Sequence, residues 1–349
     1  MTHRSVVEGA QVEERSDQLP TGQEWETVVA AGRPLLFRGA AADWKLVQAG
    51  LSGPEQAADV LASSWSGRDL VVYRGLPEIG GRFFYTDAVD GFNFTGTREP
   101  LPPLLEELLA AADNPDAPAI YVGSSDLPTY FPGLAPHSSL DLSSIHPMLT
   151  AYPGLSSLWL GNRTVASCHY DASANIAVCA VGRRRFTLFP PDQVSNLYPG
   201  PLEPTPGGQV VSMVDFAAPD LQRFPRFAEA MRRAQIADLL PGDVLVYPAL
   251  WWHHVEALDP FNVLVNYWWN SVPAYVDTPQ TTLLHALASL RARPASEREA
   301  WRAVFDHYVF GDADLASAHL PPHAQGPLAP MTEMLARRLR ANVTRLLQR

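Results

Sequence analysis

Between residues 155 and 275 the hydrophobic positions fall into short runs separated by Gly, Pro and Asn. "LSSLWLG", "NIAVCAVG", "RRFTLFPP", "DVLVYPA" and "NVLVNYWWN" are each rich in β-branched or aromatic residues, the composition of strands. Many short strands punctuated by turn residues predict a sandwich or barrel. Earlier, around "GRPLLFRGAAADW" (32–44) and "PLLEELLAAAD" (103–113), a short apolar strand gives way to helical spacing, so the chain mixes α and β. Residues 1–20 are polar and are expected to form a flexible tail.

After about residue 276 the period changes. Trp301, Phe305 and Tyr308 follow helical spacing, and Ser296 with Glu299 predicts a capping box at that helix's start. The final segment places Leu335, Leu339, Val343 and Leu346 on one stripe, with arginines over much of the opposite face. A C-terminal helical region over 276–349 is expected to pack on its own domain or pair with a second copy.

Composition narrows the classes. The chain has 349 residues, 46% hydrophobic and 18% charged, with a net charge of −11. That balance fits a globular protein without general affinity for phosphate backbones, so nucleic acid is an unlikely partner on sequence grounds. Two cysteines, Cys168 and Cys179, make no disulfide framework and favour a reducing compartment. With neither a signal-peptide core nor a long apolar span, the sequence is read as cytoplasmic, with no membrane partner.

The chemistry concentrates in two stretches. In "SCHYDASAN" (167–175) His169 and Asp171 stand two apart, on one face if the strand continues past His169. Downstream, "PGDVLVYPALWWHHVEAL" (241–258) carries a strand into Trp251, Trp252, His253 and His254. Adjacent residues do not normally both face inward, so at most one of these histidines binds. Two imidazoles and one carboxylate on one side of a metal suit Fe(II) oxygen chemistry. In "GRRRFTLFPP" (182–191) Arg184 shares a strand face with Phe186 and Leu188; an arginine turned inward needs an anion, and a carboxylate fits its fork. In "NVLVNYWWN" (262–270) Asn266 and Trp268 share the face opposite Val265 and Tyr267, as in a strand buried on both sides.

Quoted together, "HYDASANIAVCAVGRRRFTLFPPDQVSNLYPGP", "PGDVLVYPALWWHHVEAL" and "VNYWWN" resemble the JmjC and cupin-like family of Fe(II)- and 2-oxoglutarate-dependent oxygenases, most like its factor-inhibiting-HIF-like hydroxylase group. The resemblance implies a mainly β fold with flanking helices: a double-stranded β-helix, the jelly-roll or cupin barrel of JmjC type, over 21–275, followed by a C-terminal helical dimerisation region. It also implies the metal ligands His169, Asp171 and His253, with His254 packing beside them. Arg184 matches the position that anchors the far carboxylate of 2-oxoglutarate, shared with Tyr121, while Asn175, Asn266 and Trp268 match residues around the co-substrate. A family threonine is replaced by Ala166, leaving Thr164 or Ser167 to supply its hydrogen bond. The implied activity is a dioxygenase using Fe(II), 2-oxoglutarate and O2 to hydroxylate an amino-acid side chain of a protein or peptide. The alternatives are a small molecule, a modified nucleoside or N-demethylation, and, from another class, a non-catalytic metal-binding scaffold.

Overall fold

The computed structural model describes residues 4–15, 18–114, 116–152 and 154–348. In chain order the strands are β1 (Ala10–Gln11), β2 (Glu13–Arg15), β3 (Leu35–Phe37), β4 (Leu70–Gly75), β5 (Arg82–Phe83), β6 (Phe94–Glu99), β7 (Ala119–Asp126), β8 (Leu155–Gly161), β9 (Val165–Tyr170), β10 (Ala174–Val181), β11 (Arg184–Phe189), β12 (Gln235–Leu239), β13 (Val244–Tyr247), β14 (Trp252–Ala257) and β15 (Asn262–Trp269). They form two sheets. One runs β1-β12-β11-β14-β9-β5 and the other β2-β3-β13-β10-β15-β8-β7-β4-β6.

Each central strand sends alternate side chains to opposite sides, and the two sides meet different neighbours. Between the sheets lie Ala177, Phe186, Leu188, Leu245, Val255 and Leu264. Behind the nine-stranded sheet, Ile176, Val178, Val263 and Val265 pack against Trp25, Leu61 and Leu104 from the flanking helices Gly22–Ala30, Pro54–Ser64 and Leu101–Ala110. Helices on one side and a second sheet on the other explain why β10 and β15 read as bulky on both faces.

The turn between β10 and β11 depends on Gly182, whose φ is +71°. A Cβ there would lie 2.7 Å from the Phe261 carbonyl oxygen and closer still to Asn262 Oδ1. Gly182→Ala should therefore cost more than about 1 kcal/mol, read as a lowered urea midpoint.

The amino-terminal segment corrects the expectation of a loose tail over 1–20. Residues 4–15 are held in place: β1 pairs in parallel with β12, β2 in parallel with β3, and Val7 and Val12 are buried. The expected capping box also does not form. The helix Ala295–Phe305 begins two residues earlier than that box requires, after Pro294, and its N-cap makes no side-chain bond. An N-capping residue must precede the first helical turn, and Ser296 already lies inside it.

The chain divides into two compact units, Met1–Ser271 and Val272–Arg349. The second is helical, with segments Pro279–Leu290, Ala295–Phe305 and Glu333–Leu347. On the last helix Val343, Leu346 and Leu347 are exposed. Among the described residues no helix is long and apolar enough to cross a membrane. Cys168 and Cys179 are both buried and free.

Candidate metal centre

His169 and His253 face each other because β9 and β14 are neighbours in antiparallel register, with His253 opposite His169. Their ring centroids are 4.3 Å apart. Asp171 lies just past the end of β9, and its Oδ2 stands 3.6 Å from His253 Nε2. One ligand atom from each of the three falls within 4.8 Å of the others.

Both imidazoles are fixed in the same way. His169 Nδ1 lies 2.8 Å from the Ser167 carbonyl oxygen, and His253 Nδ1 lies 3.0 Å from that of Trp251. A carbonyl can only accept, so each Nδ1 carries the proton and each Nε2 lone pair is left for a metal. Burial, followed by the nearby His169, pushes His253 down to about 4, so its ring is neutral at ordinary pH. Burial alone would raise Asp171, but His253, His169 and hydrogen bonds from Trp268 and Asn175 outweigh it and hold the carboxyl below its usual value. Two imidazole nitrogens and one carboxylate form a donor set suited to a divalent first-row metal.

Around Asp171 runs a line of hydrogen bonds with every donor assigned by its neighbour. Trp159 Nε1–H donates to Asn266 Oδ1 at 2.7 Å, Asn266 Nδ2 to Asn175 Oδ1 at 3.2 Å, and Asn175 Nδ2 to Asp171 Oδ2 at 3.2 Å. Trp268 Nε1–H donates to the same oxygen at 3.0 Å. Trp159 was missed by the sequence reading. Its only signal was an aromatic residue within a strand pattern, and its role appears once β8 is seen beside β15.

The histidines His253 and His254 part company at a register shift in the β9–β14 pairing. His254 points away and stacks on Phe216, with centroids 4.5 Å apart. Neither of its ring nitrogens has a hydrogen-bond partner among the described residues. Burial, followed by the charge of Arg82, lowers it to about 3. His253→Ala should abolish Fe(II) binding by calorimetry, whereas His254→Ala should retain it.

His169, Asp171 and His253 open onto a cavity of about 640 Å³, within the size range of small-molecule sites. Arg184 lines the same cavity and is 3% exposed, and its Nε and Nη2 have no partner among the described residues. Burial pulls its pKa down. Tyr121 also lines the cavity, and burial pushes its phenol up. Arg183 and Arg185, on the opposite strand face, are instead paired outward with Asp259 and Asp238. A fully buried guanidinium without a partner is costly, and a carboxylate entering the cavity would satisfy it. The residues present thus fit both a metal and a dicarboxylate reaching from the metal to Arg184. Asn266 and Trp268 also line the cavity, whereas Asn175 is buried behind Asp171. Ser167 lines it beside Ala166; Thr164 does not.

A model of the cupin-like domain matches residues 21–275, the span that holds β3 to β15 and all three candidate ligand positions. The chain belongs to the cupin-like domain family. Among its relatives, this cupin-like protein is 41% identical over 115 residues to HSPB1-associated protein 1 of Homo sapiens, covering 32% of this chain and 23% of that protein. It is 36% identical over 106 residues to tRNA wybutosine-synthesizing protein 5 of Danio rerio, covering 30% and 29%. With lysine-specific demethylase 8 of Xenopus tropicalis it shares 35% identity over 116 residues, covering 32% and 24%. The matched stretch thus spans about a quarter of the length of these relatives.

Proposed function

We propose that the cupin-like domain is an Fe(II)- and 2-oxoglutarate-dependent dioxygenase that hydroxylates a C–H bond on an amino-acid side chain of a protein or peptide. The observation that carries this reading is the buried fork of Arg184, whose Nε and Nη2 have no partner among the described residues, in the same cavity as the His169–Asp171–His253 cluster. An anchor for a carboxylate beside a three-residue metal site is what a keto-acid co-substrate requires. The family and the demethylase named among the relatives support the same chemistry.

In this reading His169 Nε2, His253 Nε2 and the Asp171 carboxylate hold the iron. Arg184 grips the distal carboxylate of 2-oxoglutarate with two N–H groups, and Tyr121 closes beside it. Asn175, Asn266 and Trp268 orient the Asp171 carboxylate through the hydrogen bonds given above. Phe186, Val255 and Leu264 line the interior and keep water from the reacting atoms. Iron, 2-oxoglutarate and O2, when bound, supply oxidative decarboxylation to succinate and CO2 coupled to oxidation of a C–H bond.

The test is succinate formation from 2-oxoglutarate with Fe(II) and ascorbate, without added substrate. Slow, iron-dependent turnover is expected. Failure to bind either Fe(II) or 2-oxoglutarate under anaerobic conditions would overturn the reading. The relatives named as demethylases favour a second outcome of this chemistry, oxidation of an N-methyl group, which formaldehyde release would distinguish. The reading also includes pairing of two copies through the C-terminal helices, where Val343 and Leu346 are exposed. Light scattering of the full chain against one lacking 332–349 checks it.

A further inference from the structure

Part of the cavity is walled by aromatic rings. Tyr73 from β4, Phe83 from β5, Phe94 from β6 and Phe92 all line it. Phe94 sits at the centre of the cluster: Phe92 stacks on it at 5.2 Å and 15°, while Phe83 and Tyr73 meet it edge-on at 5.4 and 5.5 Å. Phe92, Phe94 and Tyr73 are only half-buried, so part of their apolar surface faces the cavity unsatisfied. The facing loop brings Thr205, Pro206, Gly207, Gly208 and Gln209, which combine little bulk with neutral polarity.

Charge is confined to the floor. Among the described residues, those lining the cavity beyond His169, Asp171, His253 and Arg184 are all uncharged. With Fe(II) and 2-oxoglutarate bound, the floor itself balances: two positive charges from iron and one from Arg184 against one negative from Asp171 and two from the co-substrate. A cation entering beside these rings would gain a cation–π attraction smaller than the hydration it loses, and among the described residues the lining offers it no carboxylate besides Asp171. An uncharged group with flat apolar faces loses no ionic hydration and covers the half-exposed rings.

We propose that the group presented to the iron is uncharged and apolar, an aromatic or bulky hydrocarbon side chain, and not a lysine, methyl-lysine or arginine. This names the substrate class of the dioxygenase reading above and rests on it for the reaction; the binding preference is tested without turnover. The probes are acetylated, amidated Gly-Gly-X-Gly-Gly peptides with Trp, Leu, Lys, trimethyl-lysine or Arg at X. Saturation-transfer NMR with the full chain, metal-free and anaerobic, reads their binding. The Trp peptide should give at least about fivefold the signal of the three cationic peptides. An equal or stronger signal from any of them, or none from Trp, would overturn the proposal. Phe94→Leu, with folding checked by circular dichroism, should lower the Trp signal about threefold, and an unchanged signal would count against the aromatic wall. Gln209→Glu adds one negative charge at constant size and should raise the Lys signal about threefold, whereas no rise would show that lining charge does not select. A protein that keeps the aromatic preference but forms no succinate would fail the oxygenase reading alone; one that forms succinate but prefers lysine would fail this proposal alone.

Discussion

Asp171→Ala protein is expected to lose Fe(II) affinity by more than the roughly 10–100-fold that removal of an outer hydrogen-bond partner costs, and to form no succinate. Asp171 is the only acidic residue among the three candidate ligands, so its loss would leave two imidazoles facing a dication. Its Oδ2 also collects the Trp268 and Asn175 N–H groups, which would then have no acceptor in a buried site. Asp171→Asn separates these effects, because it keeps the shape while removing the charge. If metal affinity by anaerobic calorimetry survived in both variants, with circular dichroism unchanged, the assignment of Asp171 as a ligand would be wrong.

The second large effect concerns Arg184. Among the described residues its buried guanidinium has no partner for Nε and Nη2, and an unpaired buried charge lowers stability. Arg184→Met should therefore unfold no earlier than wild type without 2-oxoglutarate, and by this argument about 1–3 kcal/mol later. Adding 2-oxoglutarate at a hundred times its dissociation constant should stabilise wild type by about 2.7 kcal/mol. The variant should show no such shift. Differential scanning fluorimetry with and without the co-substrate reads both halves. A ligand-induced shift retained by Arg184→Met would remove the carboxylate anchor from the account.

The parts of this centre that lie close together in the chain were legible in the sequence. His169 and Asp171 are two residues apart, and Arg184, Phe186 and Leu188 share a strand face, because a period of two fixes side-chain direction locally. The period gives the shared face, but a bulge could have left all three arginines solvated; the inward turn of Arg184 was legible only together with the metal motif, and Phe186 and Leu188 do lie between the sheets. The choice between His253 and His254 was not local. It depends on a register shift against β9, which the residues themselves do not announce. Trp159 and the rings of Phe83 and Phe94 were passed over for the same reason: they enter the site only when β8 lies beside β15 and β5 beside β9. The amino-terminal strands were read as a tail because their partners, β12 and β3, are supplied by distant parts of the chain and by parallel pairing, which leaves no turn signal.

His169 and His253 are directly opposite each other on two adjacent strands, whereas the aromatic wall is carried by β4, β5 and β6 and by a separate loop. The reactive floor and the selective mouth therefore occupy separate stretches of chain. Apart from Phe83, whose strand pairs with β9, the rings and the loop lie on segments that do not set the register of the two imidazoles, so the group that the site accepts can change while the candidate metal ligands stay in place.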